Sequence, residues 1–292
     1  MKKLLSILLL SITICSGFTI PAMADVKMGV LAHRGELDAI KKWTDLTNHF
    51  SEKMGEKVEL VPLAIAKNLP AAENKEVDFI MTNPVLSAAI NAKYNPTLLA
   101  TLNKNAGSQF GGVIIASKKS GITNVQDLKG KKVLTFKIGA SAGANVFQHY
   151  HLKQKGIDVN SDFAMYKEGK KQDDIVLAVK SGMIDAGFVR TGLLESMVKA
   201  GKISMDDVVV LDKVNSDFPL VHSTALYPEW FLMALEGTDA AKAAKIKEIA
   251  LAMTQDDKAS QTAGIKGFVE PLDLTELTNV LQNLKVPPFD QE

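Results

Sequence analysis

The sequence of 292 residues contains a single cysteine, Cys15, and only two arginines, Arg34 and Arg190. One cysteine cannot form a disulfide bond within the chain or the cysteine cluster of a structural zinc site. The 34 basic and 33 acidic side chains nearly cancel, so the chain lacks the positive field by which nucleic-acid-binding proteins attract their partners. Nucleic acid is therefore not an expected partner.

The N-terminal residues have the features of an export signal. Two lysines precede an apolar run over residues 4–20, and an Ala-x-Ala cleavage pattern ends at Ala24. A lipoprotein anchor at Cys15 would require a small residue before the cysteine, where Ile14 stands. We predict a signal peptide over residues 1–24, cleaved after Ala24, and a soluble periplasmic product.

Beyond residue 24 no apolar run approaches the ~18 residues needed to span a bilayer. The mature chain has no thiol, so burial of a large core must stabilise it, and 46% hydrophobic residues can supply that core. We expect neither a transmembrane helix nor a kinase module in this chain. A downstream partner would then be a separate protein.

Short β-branched runs alternate with longer helical patterns from residue 26 to about 230, which is typical of α/β layers around mostly parallel sheets. The predicted strands cover residues 27–31, 57–63, 78–82, 97–102, 112–116, 132–135, 164–166, 185–188 and 208–211. The predicted helices cover residues 36–53, 84–92, 143–155, 172–181 and 191–200. Residues 239–284 are predicted to be helical only.

Two segments predict crossovers between lobes. A β run at residues 110–117 contains a glycine pair and precedes a polar loop at 118–124, and a second irregular stretch follows at 212–225. Two crossovers imply a discontinuous first lobe, residues 25–112 plus 218–292, and a continuous second lobe, residues 113–217. A ligand cleft would lie between the lobes. A single doubly wound sheet is the alternative.

The two arginines stand out because lysine supplies all the other basic side chains. Only a guanidinium pairs bidentately with an oxyanion, so a chain that otherwise uses lysine has two positions suited to that chemistry. Arg34 follows the first predicted strand, and Arg190 lies between a predicted strand and helix. A structural ion pair is the alternative role for each.

Further strand-to-helix turns carry side chains and N–H groups that favour anions. Thr82 and Asn83 precede Pro84, Ser141 precedes a glycine-containing helix start, and Thr191 follows Arg190. Free backbone N–H groups and the positive end of the helix dipole make such turns potential anion sites. Each turn is also explained by ordinary helix capping.

Signatures of enzymes and metal sites are absent from the sequence. His149 and His151 are two positions apart in a predicted helix, so they do not share a face and are expected at the surface. His33 could contact a ligand or pack, Trp43 is expected in the core, and Trp230 is expected at a hinge or a cleft wall. No catalytic residue, cofactor or metal is predicted.

Several motifs resemble the phosphate/phosphite/phosphonate-type periplasmic binding proteins, and the similarity extends over nearly the whole mature chain. They lie at residues 121–133, 140–143, 155–157 and 178–187. The stretches at 82–84, 187–195 and 223–230 are similar to the subgroup that forms sensor domains of tetrathionate-type histidine kinases. The resemblance implies the type II binding-protein fold, with two α/β lobes, two crossovers and an interlobe cleft that closes on a small anion.

Two departures from that family concern the ligand. Phosphonate binders present Ser-Thr-Ser-Gly at the start of a helix in the second lobe, where this chain has Ala140-Ser141-Ala142-Gly143, and many relatives have a histidine where Gln172 stands. The lost hydroxyl donors favour a larger or more delocalised oxyanion than a compact phosphonate, for which two guanidiniums suit better.

The resemblance implies a periplasmic solute-binding protein that delivers a small oxyanion, phosphonate-like or sulfur-based, to an ABC permease. The alternative is a stand-alone sensing subunit that presents the bound anion to a membrane histidine kinase. A periplasmic enzyme is disfavoured because no nucleophile–base pair is apparent, and a monomer is expected. The candidate ligand-binding residues are Arg34, Thr82, Asn83, Ser141, Gln172, Arg190 and Thr191.

Overall fold

A computed structural model describes residues 25–290 of the chain, and the predicted signal peptide lies outside the described residues. The strands are β1 (Val26–Leu31), β2 (Val58–Leu63), β3 (Phe79–Thr82), β4 (Thr97–Asn103), β5 (Gln109–Phe110), β6 (Gly112–Ser117), β7 (Lys132–Thr135), β8 (Met165–Glu168), β9 (Ala186–Arg190), β10 (Val208–Leu211), β11 (Tyr227–Pro228), β12 (Phe231–Ala234) and β13 (Gly267–Val269). The α-helices are α1 (Glu36–Met54), α2 (Asn68–Glu73), α3 (Pro84–Tyr94), α4 (Phe147–Gln154), α5 (Gln172–Ser181), α6 (Leu193–Lys199), α7 (Ala240–Ala252), α8 (Lys258–Ala263) and α9 (Thr275–Asn283).

The strands form two main sheets, one for each lobe. The first sheet has six strands in the order β13-β4-β12-β3-β1-β2, and the second has five in the order β10-β6-β9-β7-β8. In the first sheet β1 runs parallel to β2 and β3, while β12 runs antiparallel to β3 and β4. In the second sheet β7 runs parallel to β8 and β9, while β6 runs antiparallel to β9 and β10.

The chain passes between the two sheets twice. It leaves the first sheet after β4, enters the second at β6, and returns between β10 and β12. Beside these passages β5 and β11 form a two-stranded antiparallel ribbon. The returning segment also holds β6, because the Gly112 N–H donates to Thr224 Oγ1 at 2.9 Å and the Ile114 N–H donates to Ser223 Oγ at 2.9 Å.

Helix α1 shows how the sequence pattern produces these elements. Its apolar residues recur three or four positions apart, so Ala39, Trp43, Leu46 and Phe50 are buried on one face. The helix ends at Gly55, whose φ of 73° is in the left-handed region and whose N–H donates to Ser51 O at 3.0 Å. This packing places the first turn of α1 directly after the carboxyl end of β1.

Each lobe contains buried clusters, and one cluster of the first lobe also includes Val146 and Phe147 of the second. In the first lobe the side chains of α1, α7 and α8 cover one face of the sheet, and those of α3 and α9 contribute to a cluster that includes Ile80 and Phe231. In the second lobe Ile175 and Val179 of α5 belong to one cluster, and Leu152 and Phe188 belong to another. These cores hold the two sheets as rigid supports for the residues at their edges.

The structure corrects two expectations about secondary structure. The sheets are mixed rather than mostly parallel, because the chain returning from the second lobe enters the first sheet as the antiparallel strand β12. The region 239–284 is not purely helical, because β13 adds an antiparallel strand beside β4. Strand β12 is buried on both faces and β13 has three residues, so neither produces an alternating pattern.

A long apolar helix is also absent from the described part of the chain. Among residues 25–290, no helix has the length and hydropathy to cross a membrane.

Candidate functional site

A cavity of about 470 Å³ lies between the lobes, and we call it the central cavity. This volume is within the range of small-molecule binding sites, about 300–1,000 Å³. Its polar and aromatic lining from the first lobe includes His33, Lys42, Trp43, Asn83, Lys104, Glu229 and Trp230. Its lining from the second lobe includes Phe136, Ser141, Gly143, Gln172, Arg190, Thr191 and Glu195.

The cavity is placed by the carboxyl ends of parallel strands, as is usual for open α/β sheets. His33 follows β1 and Asn83 follows β3 in the first lobe. Gln172 follows β8, and Arg190 is the last residue of β9, in the second lobe. Side chains that are distant in sequence therefore meet, because the carboxyl ends of strands from both sheets face the same space.

Arg190 contributes a guanidinium to the cavity without forming an ion pair in the described part of the chain. Its Nη1 donates to Thr191 O at 2.8 Å, and its backbone N–H donates to Gln172 Oε1 at 3.0 Å. Burial lowers the pKa of Arg190, and Glu229 opposes this effect. The guanidinium nevertheless stays protonated, so it presents a positive charge and further N–H donors to a ligand.

Two lysines of the first lobe add to this positive charge. Lys42, on α1, and Lys104, after β4, both line the cavity. The Nζ of Lys104 donates to Glu229 Oε2 at 2.8 Å, and Glu229 is nearly fully buried. Glu229 therefore balances the charge of Lys104. The other two cations of the cavity, Lys42 and Arg190, form no direct ion pair within residues 25–290.

The crowding of cations is visible in the pKa values. Burial lowers the pKa of Lys42 to about 8, with added repulsion from Lys104 and Arg190. Burial also lowers the pKa of His33 well below its usual range, and Arg190, Lys42 and Lys104 lower it further. His33 is therefore neutral near pH 7, whereas Lys42 is mostly charged there and would be stabilised in that state by an anion.

Aromatic rings form one wall of the cavity. The ring centroids of Trp43 and Trp230 are 6.1 Å apart, and those of His33 and Trp230 are 5.3 Å apart in an edge-to-face arrangement. Lys42 Nζ lies 4.7 Å from the Trp43 centroid, and Lys104 Nζ lies 5.8 Å from the Trp230 centroid. The site thus combines positive charge with a polarisable, largely apolar surface.

A helical start in the second lobe faces the same space. Ser141 precedes a π-helical turn, Ala142–Val146, that continues into α4, and the first N–H groups of a helical segment have no partner within it. Gly143 allows this start to approach the interlobe connection. A Cβ at this position would lie 2.7 Å from Gly111 O and 2.8 Å from Phe110 Cε2.

Asn83 and Thr82 differ in their relation to the cavity, although both precede α3. Asn83 lines the cavity, and its Oδ1 caps α3 by accepting from Val85 N at 3.0 Å and Leu86 N at 3.1 Å. Its Nδ2 donates to Ala140 O at 3.1 Å, so it also bridges to the second lobe. Thr82 is fully buried and does not line the cavity, and its hydroxyl has no hydrogen-bond partner among the described residues.

Arg34 lies outside the central cavity. It lines an adjacent space of about 620 Å³, here called the side groove, together with Asp38, Lys137, Lys171 and Asp173. Its Nη2 contacts Asp173 Oδ1 at 3.0 Å across the lobes. Arg190 also lines the side groove, so the two arginines share that groove but not the central cavity, and Arg34 already has a carboxylate partner.

The structure brings together five of the seven candidate residues, namely Asn83, Ser141, Gln172, Arg190 and Thr191. It adds Lys42, Trp43, Lys104 and Glu229, which were not predicted from the sequence to be ligand-binding residues. Trp43 belongs to the predicted core yet also borders the cavity. No sequence pattern distinguishes Lys42 or Lys104 from the other lysines, because only their position at the cleft makes them unusual.

The described residues also show the surroundings of His151 and whether any side-chain cluster could hold a metal ion. His151 is mostly buried, and its Nε2 lies 2.8 Å from Asp212 Oδ2, so it is not the solvated surface residue that the sequence suggested. Among residues 25–290, no group of three or more histidine, cysteine, aspartate or glutamate side chains could hold a metal ion.

The fold is that of the type II periplasmic binding proteins, with two lobes around a cleft. PhnD1 from Prochlorococcus marinus (MIT 9301), solved in complex with methylphosphonate, has a TM-score of 0.72 at 14% identity, and the match covers 89% of this chain and 98% of that one. The binding protein component of an ABC phosphonate transporter from Pseudomonas aeruginosa has a TM-score of 0.71 at 14% identity, covering 88% of this chain and 85% of that one.

The chain belongs to the family described as "ABC transporter, phosphonate, periplasmic substrate-binding protein", which it matches over residues 28–274. It is also 30% identical over 226 residues to the tetrathionate sensor histidine kinase TtrS of Salmonella typhimurium (strain LT2). That match covers 75% of this chain and 38% of the kinase, so this chain spans well under half the length of that relative. Family membership implies a periplasmic location and a small-molecule ligand.

Proposed function

We propose that this protein binds a small oxyanion in the central cavity and that both lobes contact the bound anion. The observation that carries the proposal is the cationic lining of this interlobe space, above all the Arg190 guanidinium with no ion-pair partner among the described residues. Arg190 supplies charge-assisted N–H donors from the second lobe, and Lys42 and Lys104 supply them from the first. Ser141 and Thr191 add hydroxyl groups.

The first candidate ligand is tetrathionate, on two grounds. The sequence is 30% identical to a protein named as a tetrathionate sensor. The cavity also has cations from both lobes and an aromatic wall, which suit an elongated dianion with a polarisable sulfur body. A methylphosphonate ligand is known for the structural neighbour PhnD1, but this chain has Ala140 and Ala142 at a helix start where phosphonate binders carry hydroxyls.

Thermal-shift measurements with tetrathionate, thiosulfate, sulfate, phosphite and methylphosphonate test this proposal. A ligand at 100 times its dissociation constant stabilises the protein by about 2.7 kcal/mol, which raises the midpoint by several degrees. We expect tetrathionate to give the largest shift. Tight binding of methylphosphonate without binding of sulfur oxyanions would overturn the ligand assignment, and no shift with any of the five would overturn the oxyanion site.

Ligand binding would act by population shift. An anion that contacts both lobes stabilises the state in which the lobes are together, and a partner protein can recognise that state. Delivery to an ABC permease is the role that the family description supports. Presentation to a membrane histidine kinase is the second candidate, which the identity to a sensor kinase supports.

Crosslinking in membranes distinguishes the two roles. The full chain carrying a photoreactive group at the exposed side chain of Leu37 is incubated with native membranes with and without tetrathionate, and the crosslinked proteins are identified by mass spectrometry. A permease subunit that is captured only with tetrathionate supports transport. A histidine kinase captured in the same way would replace transport by sensing.

A further inference from the structure

The side groove contains an ion pair that joins the two lobes directly. Arg34 follows β1 in the first lobe, and Asp173 lies in the first turn of α5 in the second. Arg34 Nη2 and Asp173 Oδ1 are 3.0 Å apart although 139 positions separate the residues. The pair can therefore exist only when the lobes are close together.

The pair lies immediately outside the wall of the central cavity. His33, the neighbour of Arg34, and Gln172, the neighbour of Asp173, both line the cavity, whereas Arg34 and Asp173 line only the side groove. Formation of the pair thus draws His33 and Gln172 toward each other across the cleft. Neither member of the pair needs to contact an anion in the central cavity in order to influence its binding.

Asp173 has a second cationic neighbour within its own lobe. Lys202 Nζ lies 3.6 Å from Asp173 Oδ2, on the other carboxylate oxygen from the one that Arg34 contacts. Lys202 follows α6, so this contact does not depend on the separation of the lobes. It keeps Asp173 oriented and its charge partly balanced when Arg34 is withdrawn.

We propose that Arg34 and Asp173 form an interlobe clasp that sets the ligand affinity without contacting the ligand. This inference rests on the proposed binding of an anion between the lobes. Because the clasp and the ligand stabilise the same arrangement, the apparent affinity is the intrinsic affinity multiplied by the fraction of molecules already in that arrangement. Arg34 is therefore a positioning residue, in contrast to the direct ligand contact that its sequence position suggested.

The clasp should have a small and defined effect. The Arg34 side chain is 44% exposed and that of Asp173 is 23% exposed, so solvent screens their attraction. Exposed ion pairs of this kind change an equilibrium by at most about five-fold. We therefore expect a two- to five-fold weakening of tetrathionate binding when either partner is neutralised.

The direction in which Asp173→Asn changes tetrathionate affinity distinguishes a clasp from a ligand contact. If Arg34 bound the anion directly, Asp173→Asn would free Arg34 and remove a negative charge, and binding would tighten. If the pair is a clasp, Asp173→Asn and Arg34→Gln weaken tetrathionate binding to the same extent, and the double variant is no weaker than either single variant. Asp174→Asn removes a neighbouring charge of the same helix turn that lines neither space, and it should leave binding unchanged.

A measurement without ligand tests the clasp independently of the proposed function. Residues 25–290 contain no cysteine, so Leu37→Cys in the first lobe and Met183→Cys in the second, both at highly exposed side chains, accept spin labels selectively. Double electron–electron resonance should show longer distances between the two labels in the Asp173→Asn and Arg34→Gln variants than in the parent. The distances should not change in the Asp174→Asn variant.

These two experiments distinguish failure of the clasp from failure of the ligand assignment. Unchanged label distances in both clasp variants, or tighter tetrathionate binding by Asp173→Asn, would overturn the clasp. If tetrathionate does not bind the parent protein but the label distances lengthen as expected, the clasp stands and the ligand assignment fails.

Discussion

Arg190 lines both the central cavity and the side groove, whereas Arg34 lines only the side groove, and the two arginines differ in their ion pairing. Arg190 is partly buried, lines the cavity and has no ion-pair partner within residues 25–290. Arg34 is exposed, lines only the groove and contacts Asp173 at 3.0 Å. A guanidinium that has no carboxylate partner in an interlobe cavity is available to a ligand, whereas one that is already paired across the cleft can hold the lobes together.

Arg190→Lys should give the largest effect on this comparison. Lysine keeps the charge but loses the bidentate fork, and the loss of about 3 kcal/mol of charge-assisted hydrogen bonding weakens tetrathionate binding about 100-fold. The unfolding midpoint of the ligand-free protein should change by no more than about 2 °C. Calorimetric titration and a melting curve measure both quantities. A large fall in the midpoint with retained binding would assign Arg190 to the scaffold.

Lys42→Met should weaken tetrathionate binding about ten-fold at pH 7, because one charged hydrogen bond is lost. Since the pKa of Lys42 is about 8 in the free protein, the affinity of the parent should be constant below pH 8 and fall as the pH rises above it. The Lys42→Met variant should show no such fall between pH 7 and pH 9. Calorimetric titrations across this range measure the difference, and identical pH profiles would exclude a charged Lys42 from the site.

The folding stability of the ligand-free protein should rise over the pH range in which the ligand affinity falls. A lysine whose folded pKa lies below its ordinary value disfavours folding while it is charged, so stability should rise as the pH increases from about 8 toward 10.5. Chemical unfolding of the parent and of Lys42→Met across this range measures the effect. The rise should be absent from the variant, and a rise of equal size in both proteins would contradict it.

Asn83→Ser should separate helix capping from the contact between lobes at the cavity wall. Serine still caps α3 well, so the unfolding midpoint should remain within about 2 °C of the parent. The shorter side chain cannot donate to Ala140 O, and tetrathionate affinity should fall about five-fold through loss of roughly one hydrogen bond. Asn83→Ala, which removes the cap as well, is the matched control and should lower the midpoint further.

Arg34→Lys should give the smallest effect and is the direct counterpart of Arg190→Lys. A lysine at this exposed position can still pair with Asp173, so the affinity should change by less than about two-fold. Calorimetric titration with tetrathionate under the conditions used for Arg190→Lys measures it. Equal losses for the two variants would show that both arginines contact the anion and would remove the contrast between the two regions.

Much of the fold could be predicted because most of its elements carry a local pattern. The apolar spacing of α1 and the β-branched run of β6 are sufficient to locate these elements. Strand β12 is uniformly apolar and β13 is very short, and no local pattern marks them. They form strands because each pairs with β4 in the first sheet, β12 on one side and β13 on the other.

The candidate site was predictable to a lesser extent. Arg190, Ser141 and Thr191 could be selected because turns after strands are the usual ligand-binding positions of an α/β sheet. Lys42 could not be selected, because it is one of many lysines on a helix and becomes part of the site only through the position of α1 at the cleft.

The sequence by itself determined the local elements, the scarcity of arginine and the similarity to a family of binding proteins, because each is a property of residue type and order. The tertiary structure alone decided that Arg190 faces a cavity while Arg34 pairs with Asp173. Which charges meet depends on how two separately folded sheets are placed across a cleft, and contacts between residues 139 positions apart leave no mark on the local sequence.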